Sequence, residues 1–460
     1  MEKIYIKEII AATNGKILAG NEDDFICAVS TNSKQIEEYS LFVPLKGEKF
    51  DAHNFICEAF KNGAKAVLTE LDEISYQGKI FIKVENTLKA LQRLASFCRS
   101  KFNIPVIGIT GSVGKTSTKE MVSAALSANF NVWKTKGNLN NEIGAPLTIF
   151  GIESCHSAAV IEMGISEFGE MKILSEIIKP NFGIISNIGV THIENLKTRE
   201  NILKEKFHIT DTLGKNSTLF INADNDLLKL LKPEYQYDII TFGIEEDCNY
   251  KAENIEYRGN YSYFDVIFDD QRERIEIPAV GIHNVYNSLA AIAVGIRLGL
   301  SLEEIKLGLG TYQNAAMRQQ VYHFEDITLI DDSYNANPDS MKSTVHVLNS
   351  INSEQGRRIA VLGDMLELGE ISKQAHYDTG KEVAKIGLDI LITVGEESRH
   401  IAQGAIDEDK KIQVYSFSSK DDAFECLFKL MQKGDKITIK GSRGLHLDVI
   451  VNKILDIKRR

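Results

Sequence analysis

Pro105-Val-Ile-Gly-Ile-Thr-Gly-Ser-Val-Gly-Lys-Thr-Ser117 passes from an apolar run through a glycine-containing turn into the start of an amphipathic segment. The apolar run reads as a buried strand. Met121, Val122, Ala125 and Leu126 recur at helical spacing, so the spacing predicts a helix from Lys115 to about Ala128 with one buried face. Glycines in the intervening turn let several backbone N–H groups point inward at phosphate oxygens. The helix N-terminus directs its dipole at the same anion. Lys115 would reach the outer phosphates of a nucleotide, and the Thr116 hydroxyl would hold Mg²⁺. Thr110, Gly111, Ser112, Val113, Gly114, Lys115, Thr116 and Ser117 are therefore the first candidate nucleotide-binding residues. The longer G-x-x-x-x-G-K-[ST] pattern requires a glycine at 109. This chain has Ile109 there, with glycines at 108 and 111 instead.

Further buried strands are expected at 158–163 and 182–187, and their alternation with helices implies a mostly parallel sheet. From 218 to 280 the pattern turns to strands alone, which reads as an antiparallel addition before a helix at 284–298. Residues 317–460 alternate again, with strands at 328–330, 358–362, 389–394, 413–417 and 435–439 and a final helix at 445–457. That is the pattern of a doubly wound, Rossmann-like domain. No dinucleotide glycine fingerprint follows its first strand; Asp331-Asp-Ser-Tyr-Asn-Ala-Asn-Pro338 stands there. Residues 1–103 hold strands at 41–44, 66–68 and 80–84 and helices at 56–62 and 88–102, a small α/β domain. The fold class is α/β in three domains: 1–103, 104–316 with the phosphate loop, and 317–460.

Composition narrows the function. A net charge of −11 argues against a nucleic-acid partner, which calls for a basic face. The longest apolar stretches, such as 289–296, fall far short of the ~18 residues that span a bilayer. The N-terminus lacks the apolar core of a signal peptide. Six cysteines contain no C-x-x-C pair, which reads as free, buried thiols in a reducing cytoplasm. Two further residues have open readings. Glu162 ends a buried strand, where a carboxylate can serve Mg²⁺ or merely cap a loop. His192, in Asn187-Ile-Gly-Val-Thr-His192, reads as a structural histidine, because hard cations prefer oxygen.

Together these stretches resemble the Mur ligases of peptidoglycan synthesis over essentially the full chain. The 110–117 loop is similar to that family's shortened phosphate loop. Thr135-Lys-Gly-Asn-Leu-Asn-Asn-Glu-Ile-Gly-Ala-Pro146 is similar to its substrate loop, implicating Asn138, Asn140 and Asn141. Glu162 and His192 match its metal-binding positions, so the resemblance reverses the first reading of His192. Gly281-Ile-His-Asn-Val-Tyr-Asn-Ser-Leu-Ala-Ala291 looks like its nucleotide-base motif and implicates Asn284 and Asn287. Leu203-Lys-Glu-Lys-Phe-His208 carries its carbamylated lysine, placed at Lys206, with Lys204 as the neighbouring alternative. Asp332-Ser-Tyr-Asn-Ala-Asn-Pro338 and Val361-Leu-Gly-Asp-Met-Leu-Glu-Leu-Gly369 are similar to the branch that adds D-alanyl-D-alanine, and point to Asn335 and Asn337 for that dipeptide. Near the N-terminus, Ser30-Thr-Asn-Ser-Lys34 and Leu41-Phe-Val-Pro-Leu-Lys-Gly-Glu-Lys-Phe-Asp-Ala-His53 match the UDP-sugar domain, with Ser33 and Lys34 as substrate contacts. Many relatives have arginine at position 34; lysine keeps the charge but loses the bidentate fork.

The resemblance implies a cytoplasmic monomer that uses ATP and Mg²⁺. A carboxylate of UDP-MurNAc-tripeptide would attack the γ-phosphate, and the amine of D-Ala-D-Ala would then displace phosphate from the acyl phosphate. Lys115, Lys206 and His192 would be the catalytic residues, with Thr116, Glu162, His192 and Lys206 around the metal. Arg318 and Asp332 would reach the nucleotide from the third domain. Two alternatives stay open: a sister ligase that adds a single amino acid, and a nucleotide-switched ATPase with no acceptor.

Overall fold

The computed structural model describes residues 1–47, 50–72, 78–231, 235–350 and 356–459. The strand Val106–Thr110 is an internal strand of a nine-stranded sheet, third from one edge, between Ala158–Glu162 and Phe182–Ile185. Its residues are buried on both faces, which is why the sequence there is a continuous apolar run rather than an alternating one. The sheet is parallel from Val132–Lys134 through Asp238–Gly243. Tyr250–Arg258, Tyr261–Phe268 and Gln271–Ile277 extend it antiparallel to one another, as expected for this stretch. After Val106–Thr110 the chain goes first to one side of that strand and later to the other. Such a reversal opens a crevice at the carboxyl ends of the strands, where open α/β sheets bind ligands.

Ile109 is fully buried and paired with Glu162 and Ile184. It packs in the core shared by the helices Lys115–Leu126 and Ile282–Arg297. Position 109 thus belongs to the strand, and the turn begins only at Gly111. That accounts for the missing glycine.

A six-stranded sheet runs in the order Gln320–His323, Ile327–Asp331, Asp435–Lys440, Arg358–Gly363, Ile390–Val394, Gln413–Phe417. It is parallel except for the first strand. The sequence reading lacks this edge strand, a short hairpin arm that follows residues with positive φ at Met317 and Gln319. The final helix begins at Asp448 instead of 445. A five-stranded sheet is formed by Lys16–Ala19, Ile80–Lys83, Ala64–Thr69, Ser40–Phe42 and Ala28–Ser30. Glu48 and Lys49 of the second N-terminal motif lie outside the described residues. All six cysteines are free, but only Cys98 is buried, and Cys57 and Cys155 are exposed. The expectation of uniformly buried thiols is therefore corrected; neither exposed sulfur sits on an inward helix or strand face. Among the described residues no helix is long and apolar enough to cross a membrane.

The helix that follows the phosphate loop is held from outside by Leu302–Leu309, whose Gly308 comes up against its backbone. A Cβ at Gly308 would lie 2.3 Å from the Ala124 carbonyl oxygen and 2.7 Å from that of Ala125. Gly308→Ala is expected to destabilise the protein by about 1–3 kcal/mol through overpacking, against the ~1 kcal/mol that alanine gains in helix propensity. Urea denaturation measures the balance, and a neutral or stabilising result would mean that the two helices can separate freely.

Candidate active site

A cleft of about 470 Å³ lies between the carboxyl edges of the nine-stranded and six-stranded sheets. Residues 112–118 form its floor. The turn is pinned from the neighbouring Phe182–Ile185 strand and the residues after it. Ser186 Oγ and Asn187 Nδ2 both donate to the Val113 carbonyl, at 2.8 and 3.1 Å. Asn187 Oδ1 accepts from Val113 N at 2.9 Å, and its carbonyl accepts from Ser112 N. The Ser112 hydroxyl accepts from Gly189 N at 2.9 Å. Gly111 has φ 154°, and a Cβ there would lie 2.0 Å from Ser186 Oγ, so only glycine fits so close. Lys115 Nζ donates to the Gly111 carbonyl at 2.8 Å. Burial lowers its pKa, and Glu162 opposes that shift.

Thr116 and Glu162 meet directly. Thr116 Oγ1 donates to Glu162 Oε2 at 2.9 Å, Asn140 Nδ2 donates to Oε1 at 2.8 Å, and Thr135 Oγ1 accepts from Glu162 N. Glu162 is only 2% exposed. A hydroxyl beside a carboxylate is a hard-oxygen pair that suits Mg²⁺. Among the described residues no group of three or more His, Cys, Asp or Glu stands together. An ion held here would therefore keep water and phosphate oxygens in its shell, as Mg²⁺ does. His192 lines the same cleft at φ 63°, opening the short helix Ile193–Leu196.

Lys206 lies outside the cleft lining but is only 1% exposed, whereas Lys204 points to solvent. Its Nζ is buried, with no hydrogen-bond partner among the described residues. Desolvation lowers its pKa well below the ordinary lysine value, and the nearby Lys115 charge lowers it further. A buried, unpartnered amine that favours the neutral form fits a lysine awaiting carbamylation, because only the neutral amine reacts with CO₂. Of the two lysines, the geometry favours Lys206.

Asn284 and Asn287 are buried on the cleft side of Ile282–Arg297. Asn287 Oδ1 accepts from Thr118 Oγ1 at 2.9 Å and is tied to the phosphate-loop helix; Asn284 Nδ2 donates to the Val280 carbonyl. The opposite wall carries Arg318, Asp332, Asn335 and Asn337. Arg318 lies over the Tyr334 ring at 4.2 Å. Asp332 pairs with Lys440 at 2.7 Å, and Lys440 also donates to the Asn335 carbonyl. Asn335 is exposed, its Oδ1 accepting from the next backbone N–H. Asn337 is more heavily engaged. Its Oδ1 accepts from Ser340 N at the start of Pro338–Ser350, and its Nδ2 donates to Thr191 Oγ1. Asn138 and Asn141 line the cleft, but Asn141 Oδ1 also accepts from Gly144 N at the start of the helix Gly144–Phe150. Ser33 and Lys34 are outside the cleft. Ser33 Oγ donates to Glu58 at 2.5 Å, and Lys34 is exposed.

Three participants escape the sequence reading. Asn187 sits within the stretch quoted for His192, but only the fold shows it gripping the loop. Lys440 ends the buried strand Asp435–Lys440, and a lysine closing an apolar run was the available signal. Glu367 lies 2.6 Å from His192 Nδ1, a proximity that no local pattern announces. Lys115→Ala is expected to lower nucleotide turnover by roughly 10²–10³-fold, the scale for losing one preorganised donor to developing charge. Tm should be nearly unchanged, since a partly desolvated ammonium contributes little to the fold. Initial rates alongside thermal melts check it, and a variant with near-wild-type rate removes the loop from the chemistry.

Comparison with known proteins matches three successive stretches: "Mur ligase family, catalytic domain" over residues 26–99, "Mur ligase middle domain" over 109–295, and "Mur ligase, glutamate ligase domain" over 317–443. The chain is 34% identical over 459 residues to the UDP-N-acetylmuramoyl-tripeptide–D-alanyl-D-alanine ligase of Bacillus subtilis, covering 99% of each. It is 31% identical to the Escherichia coli enzyme of the same name, again over 99% of each. Among solved structures, MurF from Acinetobacter baumannii superposes with a TM-score of 0.91 at 30% identity, over 99% of both chains. MurF ligase from Thermotoga maritima in complex with ADP gives 0.83 at 28% identity, over 94% of this chain and 98% of that one. With loop, cleft and opposing wall arranged as above and relatives matching end to end, the chain belongs to the Mur ligase family.

Proposed function

We propose that this chain is an ATP-dependent ligase, a cytoplasmic monomer that joins D-alanyl-D-alanine to UDP-N-acetylmuramoyl-tripeptide through an acyl phosphate. The observation that carries the reading is the convergence, in one cleft, of the 111–117 loop, the Thr116–Glu162 pair and the 332–337 loop of the third sheet. A pure nucleotide switch has no need of a second polar wall facing its phosphates.

The chemistry follows from what each residue can do. A carboxylate acylates poorly because oxide is a bad leaving group. Its attack on the γ-phosphorus breaks the bond to the bridging oxygen, releases ADP and installs a better one. Two anions must approach for this. Lys115 and the pinned loop amides hold the phosphates and offset their charge as it shifts toward ADP. Thr116, Glu162 and His192 would hold Mg²⁺, which supplies Lewis-acid neutralisation when bound. A carbamate on Lys206 would turn a buried would-be cation into an anion within reach of the Lys115 charge. The dipeptide amine then attacks the acyl carbonyl, phosphate leaves, and the amine loses its proton. Asn335, with its Nδ2 uncommitted in the hydrogen bonds of its own loop, is better suited than Asn337 to contact the dipeptide. Asn337 is better suited to hold the wall in place. Contacts between the second and third domains join Asn337 to Thr191 and His283 Nδ1 to Ser343 Oγ at 2.8 Å, and further closure of the two domains over bound substrate would exclude the water that hydrolyses an acyl phosphate.

Incubation of the purified chain with UDP-MurNAc-tripeptide, ATP, Mg²⁺ and D-Ala-D-Ala should yield the pentapeptide product by mass spectrometry, with phosphate release dependent on the dipeptide. Asn335→Ala should raise the dipeptide KM far more than that for ATP. Efficient use of a single amino acid in place of the dipeptide points to a sister ligase, and phosphate release without an acceptor points to an ATPase.

Lys206→Ala should be largely inactive and regain activity with a small added carboxylate, while Lys204→Ala stays active. Because burial lowers the Lys206 pKa, its neutral amine is populated at lower pH than an ordinary lysine's. Bicarbonate-dependent activation should therefore persist at pH values where a solvated lysine is almost wholly charged. Full activity in Lys206→Ala, or indifference to bicarbonate depletion, rejects the carbamate.

A further inference from the structure

We propose that Glu367, on the loop after Arg358–Gly363, is a positioning residue that orients the His192 ring across the domain interface, so that the ion site is complete only when the third domain is docked. This rests on the reading of His192 as an ion-binding residue. Glu367 Oε2 lies 2.6 Å from His192 Nδ1, at ion-pair distance. That nitrogen is buried from water and makes no aligned hydrogen bond among the described residues, so rotation of the ring toward the carboxylate completes the pair. The two segments also touch through their backbones. Glu194 N donates to the Glu367 carbonyl at 3.3 Å, and a Cβ on Gly369 would lie 3.3 Å from Glu194 Cα.

The segment that leads into Glu367 is held at three successive residues. The Asp364 carboxylate accepts from Ser398 N at 2.7 Å and Glu396 N at 3.1 Å. Met365 N donates to His376 Nε2 at 2.9 Å, while His376 Nδ1 is 2.7 Å from the Ser372 carbonyl. Leu366 N donates to Ser442 Oγ at 2.9 Å. Glu367 itself adopts φ 64°, a left-handed conformation that persists in a non-glycine residue only where the surroundings impose it.

The chemistry gives this contact a purpose. Neutral imidazole carries its proton on one nitrogen and a lone pair on the other. A carboxylate at Nδ1 selects the Nδ1–H tautomer, frees the Nε2 lone pair for a cation and fixes the ring plane. Every proposed ion contact, His192 included, comes from the second domain. The third domain, which brings the acceptor wall, therefore also supplies the group that aligns His192.

The test uses the full chain with Glu367→Gln, which keeps the shape and loses the charge, and Glu367→Asp, which keeps the charge and shortens its reach. Three readouts are taken. The ¹⁵N spectrum of the histidine rings, with His192 assigned by loss of its signal in His192→Gln, should show the Nδ1–H tautomer in the wild type and a mixture in Glu367→Gln. The Mg²⁺ concentration for half-maximal rate should rise roughly 10–100-fold in Glu367→Gln, the usual range for losing a partner of a metal-binding histidine, with Tm little changed. Glu367→Gln should add no further loss in a His192→Gln background. Glu367→Asp should fall between wild type and Gln in both tautomer ratio and Mg²⁺ requirement. An unchanged His192 tautomer in Glu367→Gln, or an equal rate loss with and without His192, overturns the proposal. Absence of wild-type ligation would reject the functional reading instead, and the tautomer measurement would still decide the contact.

Discussion

The site depends on one grip, the hold of Ser186 and Asn187 on the carbonyl and amide of Val113. A phosphate-binding turn needs its N–H groups aimed inward before the anion arrives, because ordering them at the moment of binding costs conformational entropy. Here the adjacent parallel strand does the ordering. The residues that follow Phe182–Ile185 reach over the carboxyl edge and fasten the turn, and Gly111 is the only residue type that allows the approach. The register that sets Ile185 beside Thr110 and Glu162 beside Ile109 also delivers the carboxylate to the Thr116 hydroxyl. Strand pairing in the core thus sets the position of two functional groups at its edge.

The opposing wall is assembled differently. Asp332 and Lys440 come from neighbouring parallel strands and neutralise each other in a buried pair, and Lys440 also braces the Asn335 carbonyl. Breaking such a pair leaves an uncompensated charge, which costs far more than the intact pair contributes. Val280, from the second domain, packs into the apolar core of the third with Val347 and Leu348. The domain junction therefore combines an apolar seam at Val280, with the His283–Ser343 contact beside it, and polar contacts through Thr191 and His192.

Much of this architecture was legible because strands buried on both faces leave continuous apolar runs and their helices leave periodic ones. The 105–117 stretch alone places a strand, a turn and a helix. Gln320–His323 was not legible, since a short edge strand after positive-φ residues carries neither pattern. Among site residues, Lys115 and Thr116 follow from local chemistry. Glu162 and His192 do not: a strand-end acid reads equally well as a loop cap, the surroundings of His192 suggest a structural ring, and only the family resemblance points both toward an ion. Asn337 and Asn141 show a further limit. Their amides are engaged at helix starts, and a sequence motif does not distinguish a residue that touches a ligand from one that shapes the loop beside it. Contacts such as Asn187 to Val113 or Glu367 to His192 join distant segments, so no window of sequence contains them.

The orphaned Lys206 amine has a thermodynamic corollary. A buried polar group with no partner costs about 1–3 kcal/mol relative to one that is satisfied, and the nearby Glu205 and Glu170 charges offset the burial of this amine only in part. The native state carries a built-in weak point directly beneath its reactive cleft. A flexible apolar side chain of similar length at that position, such as methionine, would relieve it and yield a firmer protein, but one unable to form the proposed carbamate. On that reading, robustness and chemistry are set against each other at a single nitrogen atom. Selection for thermal endurance alone would erode this lysine first.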